Sequence, residues 1–96
     1  MTIEKLLTTR REEILRIAAQ HGARNVRLFG SAVRGEAAEG SDLDFLVEME
    51  PKRSLLDLIA LRNDLMDLLG KKVDVVTEDG LYWLLRRKIL REARPL

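Results

Sequence analysis

The stretch Asp42-Leu43-Asp44-Phe45-Leu46-Val47-Glu48 constrains the fold more than any other, because it begins as a strict alternation of acidic and apolar residues. In a β-strand, residues two apart point to one face and lie roughly 7 Å apart along the chain. Asp42 and Asp44 therefore share a face, while Leu43, Phe45 and Val47 take the opposite one and can pack on helices. Val73 and Val75 flank Asp74 in the same way within Lys-Val-Asp-Val-Val. The pattern predicts a sheet with one face in the core and the other displaying carboxylates. A chain of 96 residues makes one domain, 1–96, with one core and no room for a separate substrate-binding half. A domain this small buries roughly 60–65% of its unfolded surface, so anything large must come from a partner.

The remaining elements follow from apolar spacing and stop signals. Ile3, Leu6, Leu7, Ile14, Ile17 and Ala18 recur at helical spacing between Thr2, a capping residue, and Gly22, a stop, with an interruption expected near Thr8 and Thr9. Val26 to Phe29 reads as a first strand that ends at Gly30. Ser54 opens a leucine-rich helix, Ser54 and Asp57 resembling a capping pair and Gly70 ending it. Lys72 to Thr77 reads as a third strand, and Leu81 to Ala93 as a final helix bounded by Asp79-Gly80 and Pro95. If Gly30-Ser31 and the aspartates serve one site, the first two strands are antiparallel. The long helix then resembles a right-handed crossover that makes the second and third strands parallel. The expected architecture is α/β, a mixed sheet of at least three strands with helices packed on one face.

Charge and cysteine content narrow the partners. The 17 Lys+Arg and 16 Asp+Glu residues nearly cancel, which gives no basis for predicting direct nucleic-acid binding. The absence of cysteine removes disulfides and cysteine-ligated zinc and fits a reducing interior, the cytoplasm being the default expectation. Charges run throughout the amino-terminal twenty residues, so neither a signal peptide nor a membrane helix is expected there.

Gly30 to Asp44 gathers the chemistry. Ser31 and the amides around it can meet phosphate oxygens, while Asp42 and Asp44 supply the hard anionic oxygens that magnesium prefers. Aspartates so close repel one another and lose stability unless a cation lies between them. Two divalent ions about 3.5 to 4 Å apart could clamp phosphates and lower the pKa of an attacking hydroxyl. In that arrangement Asp42 and Asp44 hold both ions, and Asp74 completes one site and can accept the nucleophile's proton. Each feature also has an ordinary structural reading. Gly30-Ser31 alone is any strand-ending turn, and Asp42 and Asp44 alone are a solvated strand face or a capping turn. Arg34 divides between a surface ion pair and a phosphate contact. Glu36 and Glu39 read as solvated loop charges. His21, and the basic run Arg86, Arg87, Lys88, Arg91 and Arg94, suit the carboxyl ends of their helices.

The run GSAVRGEAAEGSDLDFLV, with ten residues between Ser31 and Asp42-Leu43-Asp44, closely resembles the motif of minimal nucleotidyltransferases of the DNA polymerase β superfamily. The resemblance spans almost the whole chain and shows no departure from the catalytic pattern. It implies magnesium-dependent transfer of a nucleoside monophosphate from a nucleoside triphosphate, with ATP the expected donor, and release of pyrophosphate. Under it, Gly30, Ser31, Arg34 and Ser41 become phosphate-binding positions and Asp42, Asp44 and Asp74 catalytic metal ligands. It further implies an antitoxin role in which AMP is attached to a tyrosine of a HEPN-domain ribonuclease toxin. Two other readings stand beside that one: an antitoxin that acts by covering its toxin, and a transferase acting on a small-molecule or RNA hydroxyl. The leucine-rich helix and the helix holding Tyr82 and Trp83 carry more apolar residues than one buried stripe needs, which suits a protein partner.

Overall fold

Two adjacent threonines break the amino-terminal helical pattern into two helices in the computed structural model, which describes residues 2–36, 40 and 42–96. α1 (Ile3–Thr9) starts with the Thr2 hydroxyl accepting the Lys5 N–H at 3.1 Å. It ends at Arg10, which also begins α2 (Arg11–Gln20). β-branched residues lose rotamer freedom in a helix, and the Thr8 hydroxyl further bonds back to the Glu4 carbonyl at 2.9 Å, a contact that weakens a helical turn. His21 closes α2 and meets Asp64 across 2.6 Å, tying this helix to the long one described below.

The chain continues through β1 (Ala23–Phe29), the four-residue α3 (Ser31–Arg34) and β2 (Leu43–Met49). α4 (Leu55–Leu69), β3 (Val73–Thr77), α5 (Trp83–Glu92) and the two-residue β4 (Arg94–Pro95) complete it. The four strands form one sheet in the order β3-β2-β1-β4. β1 pairs antiparallel with β2 and with β4, and β2 pairs parallel with β3. The sheet is therefore mixed, as expected, and β4 extends it by one strand. The β1–β2 register slips between Arg24 and Arg27, where Asn25 adopts φ 50°, a conformation that asparagine tolerates better than most residues.

α4 shows how local signals and burial agree. The Ser54 N–H donates to the Asp57 carboxylate at 2.9 Å at its start, and Gly70 takes φ 65° at its end. Leu61, Leu65 and Leu69, spaced by four, enter the core. There they meet Leu7 of α1, Ile14 and Ala18 of α2, and the Leu43, Phe45 and Val47 face of β2. Leu43, Phe45, Ile14 and Leu61 are all 0% exposed.

The opposite face of the sheet is not simply open. Leu46, which alternates onto the face of Asp44, is also 0% exposed. β3 and β4 lie at opposite edges, so α5 and its flanking turns must carry the chain across the whole sheet. Ten helical residues span about 15 Å, matching three strand spacings of about 4.8 Å. No α5 side chain belongs to the core cluster beneath α2 and α4. Its last residue instead reaches the carboxylate side, as described next.

Candidate functional site

β1 ends at Phe29, whose cross-strand partner is Asp44, so the turn that follows is built directly over that carboxylate. Gly30 takes φ 78° and ψ −153°, a region essentially closed to residues with a Cβ. A Cβ at Gly30 would also collide with the Asp44 carboxylate oxygen. Gly30 is thus demanded twice, by its backbone and by the acid beside it. From here the chain turns at once into α3, with the Val33 and Arg34 amides donating to the Gly30 carbonyl at 3.1 and 3.2 Å. Ser31, the first residue of α3, is half-buried next to the turn. The expected Gly-Ser turn is therefore the entry to a single helical turn, too short to leave a periodic signal in the sequence.

Parallel pairing of β2 with β3 makes Asp74 the direct cross-strand partner of Asp44. Neighbouring strands lie about 4.8 Å apart, which brings two carboxylates side by side. Asp42, just before β2, is exposed on the same side by alternation. The Asp44 carboxyl is pushed above the usual carboxylate range, first by its partial burial, then by the negative charges of Asp74 and Asp42. Arg34 opposes this rise, and Glu92 adds to it. Three aspartates thus stand within electrostatic reach of one another at one end of the sheet. Among the described residues, no three His, Cys, Asp or Glu side chains are drawn in tightly enough to enclose an ion. The donor set nevertheless fits a hard divalent cation: its oxygens are anionic, and the repulsion that raises Asp44 is the repulsion a cation relieves.

Arg34 leaves α3 toward two acids, Glu92 at 2.7 Å and Glu36 at 3.3 Å, and their pairing, the Glu36 hydrogen bond first, raises its pKa. Ser41 lies outside the described residues, as does Glu39.

The sequence pattern assigns no role to Glu92, yet this residue bridges the Gly30 turn and Arg34. One of its oxygens, Oε1, accepts the Gly30 N–H at 2.7 Å and the Arg34 Nη1–H at 2.7 Å, and the side chain is only 14% exposed. A signal was present. Glu92 is the one acid after Asp79 and stands in the last helical turn, where a negative charge opposes the helix dipole and calls for a cationic partner. Arg27 was also missed. It lies two cross-strand pairs beyond the Phe29–Asp44 pair, opposite Leu46, and pairs with Glu78 at 2.8 Å. Its side chain is only 13% exposed, and alternation places it on the carboxylate face. A groove of about 780 Å³ beneath α1 and α3, lined by Leu7, Leu28, Val33 and Leu96 among others, lies apart from the aspartates.

The nucleotidyltransferase domain family matches residues 11–96. The chain belongs to that family. A protein adenylyltransferase of Thermococcus cleftensis, MntA, is 42% identical over 90 residues, covering 94% of this chain and 88% of its own length. The solved structure of a candidate minimal nucleotidyltransferase superposes with a TM-score of 0.87 at 53% identity, over 100% of this chain and 97% of the other. A toxin–antitoxin structure containing AMP-PNP shares the fold, with a TM-score of 0.75 at 20% identity over 88% of this chain and 69% of its own. The expected fold, a mixed sheet of the minimal nucleotidyltransferase type, is thereby established, and the chain is an enzyme of the nucleotidyltransferase class. No helix among the described residues is long and apolar enough to cross a membrane.

Proposed function

We propose that this protein transfers AMP from ATP to a tyrosine hydroxyl of a HEPN-domain ribonuclease toxin, and thereby serves as its antitoxin. The observation that carries the reading is the side-by-side placement of Asp44 and Asp74, with Asp42 adjacent and the Gly30 turn directly above. Asp42, Asp44 and Asp74 would hold magnesium, two ions in the full arrangement. When bound, magnesium supplies Lewis-acid stabilisation of the triphosphate and lowers the pKa of the attacking hydroxyl. The amides near Ser31, the Ser31 hydroxyl and the Arg34 guanidinium orient phosphate oxygens, with Ser41 assigned to the same task. The tyrosine oxygen forms a bond to the α-phosphorus of ATP, the bond from that phosphorus to the bridging oxygen breaks, and pyrophosphate leaves. The tyrosine proton passes to a carboxylate, a role the reading gives to Asp74, which is exposed on β3.

Support for adenylyl transfer to protein comes from the 42% identical relative, and support for a toxin partner from the toxin–antitoxin structure of the same fold. The chain also offers a surface to such a partner: Leu55 and Leu56 of α4 are 69% and 76% exposed, and Trp83 and Leu84 of α5 are 73% and 57% exposed. That surface equally favours a second reading, neutralisation by coverage alone.

Intact-mass spectrometry of the toxin partner, after incubation with ATP, magnesium and this protein, decides between them. Under the catalytic reading the partner gains one or more AMP units, and the gain is absent with Asp42→Asn. A silenced toxin of unchanged mass overturns catalysis and leaves coverage.

A further inference from the structure

Glu92 puts a carboxylate oxygen where the proposed reaction requires a phosphate oxygen. We infer that Glu92 is a built-in occupant of the phosphate-binding turn, and that a nucleoside triphosphate enters only as Glu92 and the end of α5 withdraw. The inference deepens the nucleotidyl-transfer reading and rests on it.

The two donors held by Glu92 Oε1, the Gly30 N–H and Arg34 Nη1–H, both at 2.7 Å, are donors that the reading assigns to phosphate. Contacts of this length between a carboxylate and N–H donors are charge-assisted, and a phosphate oxygen makes the same kind. One oxygen already accepts both, so a triphosphate oxygen cannot claim them without displacing it. Electrostatics point the same way. Glu92 is a fourth negative charge beside Asp42, Asp44 and Asp74, and it pushes the Asp44 carboxyl further up. Such a charge is held there by Gly30 and Arg34, and loses its hold once a polyanion competes for them.

The element that carries Glu92 is suited to withdrawal. No α5 side chain enters the hydrophobic core, and Trp83, Leu84 and Leu85 are half or more exposed. Beyond Glu92 the chain is tied to the sheet by the two-residue β4, paired at Arg27–Pro95 and Leu28–Arg94, and by the Leu96 N–H to Val26 carbonyl bond. Elements with little buried apolar contact are the ones that open at low free-energy cost.

The experiment is calorimetric titration of the full chain with AMP-PNP in the presence of magnesium, for the wild type, Glu92→Gln, Glu92→Ala and Asp44→Asn, with thermal melting to confirm that each is folded. Glu92→Gln keeps the shape and removes the charge. It is expected to bind about tenfold tighter than wild type, the ratio that follows if the closed arrangement outweighs the open one about ten to one. Glu92→Ala is expected to bind at least as tightly as Glu92→Gln. The Gly30 amide proton resonance should also move in Glu92→Gln without nucleotide, and in the wild type on adding it. If Glu92 instead positions Gly30 and Arg34 for the nucleotide, both Glu92 variants bind more weakly; that result, or unchanged affinity, overturns the inference and leaves the proposed reaction standing. If neither wild type nor any variant binds AMP-PNP, the nucleotidyl-transfer reading falls and the inference with it.

Discussion

Helix α4 buries Leu61, Leu65 and Leu69 in the core and is capped at both ends, whereas α5, with Leu84, Leu85 and Leu90, leaves all three at least 36% exposed and begins at Tyr82 without a side-chain cap. The two helices use leucine for different purposes. α4 is the crossover that fixes β3 parallel to β2, and so fixes Asp74 beside Asp44. α5 is held at its far end by polar contacts to the site itself, through Glu92. One helix sets the carboxylates side by side, and the other ends on the turn above them.

The contrast is sharpest in stability. Leu65→Ala should cost about 2 to 5 kcal/mol, the range for removing a buried leucine side chain. In a domain of this size, whose total stability is of the order of 5 to 10 kcal/mol, that is a large share. Leu84→Ala should change stability by no more than about 0.5 kcal/mol, as exposed positions usually do. Urea unfolding of both variants measures the difference, and equal losses would mean that α5 is as much a part of the core as α4.

The next effect lies where the two helices' influence meets, at Gly30. Gly30→Ala must force a Cβ into a backbone region closed to it and against the Asp44 carboxylate. The strain alone should cost about 1 to 3 kcal/mol. The amide that Glu92 holds and that phosphate would claim must shift as well, so nucleotide binding should fall below detection by calorimetry. A variant that melts early yet binds AMP-PNP normally would detach the turn from the phosphates.

These differences trace what the sequence could disclose. Signals that act within a few residues were readable: the Thr8-Thr9 break, the Ser54–Asp57 cap, the Gly70 stop and the acid–apolar alternation that set Asp42 and Asp44 opposite Leu43 and Phe45. Even the parallel placement of Asp74 followed, because a long helix between two strands leaves few topologies. α3 and β4 were not readable, since four residues of helix and two of strand complete only about one period, and a pattern shows only when it repeats. Glu92 escaped for another reason. Its partners Arg34 and Gly30 stand 58 and 62 positions away, so only the three-dimensional crossing of α5 brings them together. Leu46, which alternation places on the carboxylate face, is nevertheless 0% exposed, so that face is partly closed in a way the local pattern does not disclose.

The smallest effect separates two aspartates of opposite character. Asp57, in the first turn of α4, has its carboxyl held below the usual range, chiefly by the Ser54 backbone N–H and further by Arg53. Its contribution to stability is present above the unfolded value and is lost as pH falls through the depressed folded value. Asp44 runs the other way. Burial, then Asp74 and Asp42, raise its carboxyl above the ordinary 3.8, with Arg34 opposing and Glu92 adding. A raised folded pKa means that the native state binds the proton more tightly, so stability falls as pH rises from 3.8 through the folded value, and the penalty is complete above it. Asp44→Asn should therefore melt higher than the metal-free wild type at pH 7. The gain should be a few degrees at most, since Asp44 is only partly buried and solvent screens it. Near pH 3 the two should melt together, because both then carry a neutral side chain. Magnesium should raise the melting temperature of the wild type at pH 7 and leave Asp44→Asn nearly unmoved, as linkage requires of a ligand that binds through this carboxylate. Were the variant instead less stable than the wild type at pH 7 without metal, Asp44 would be a structural acid like Asp57, and the distinction between the helix that builds the site and the charges that wait in it would fail.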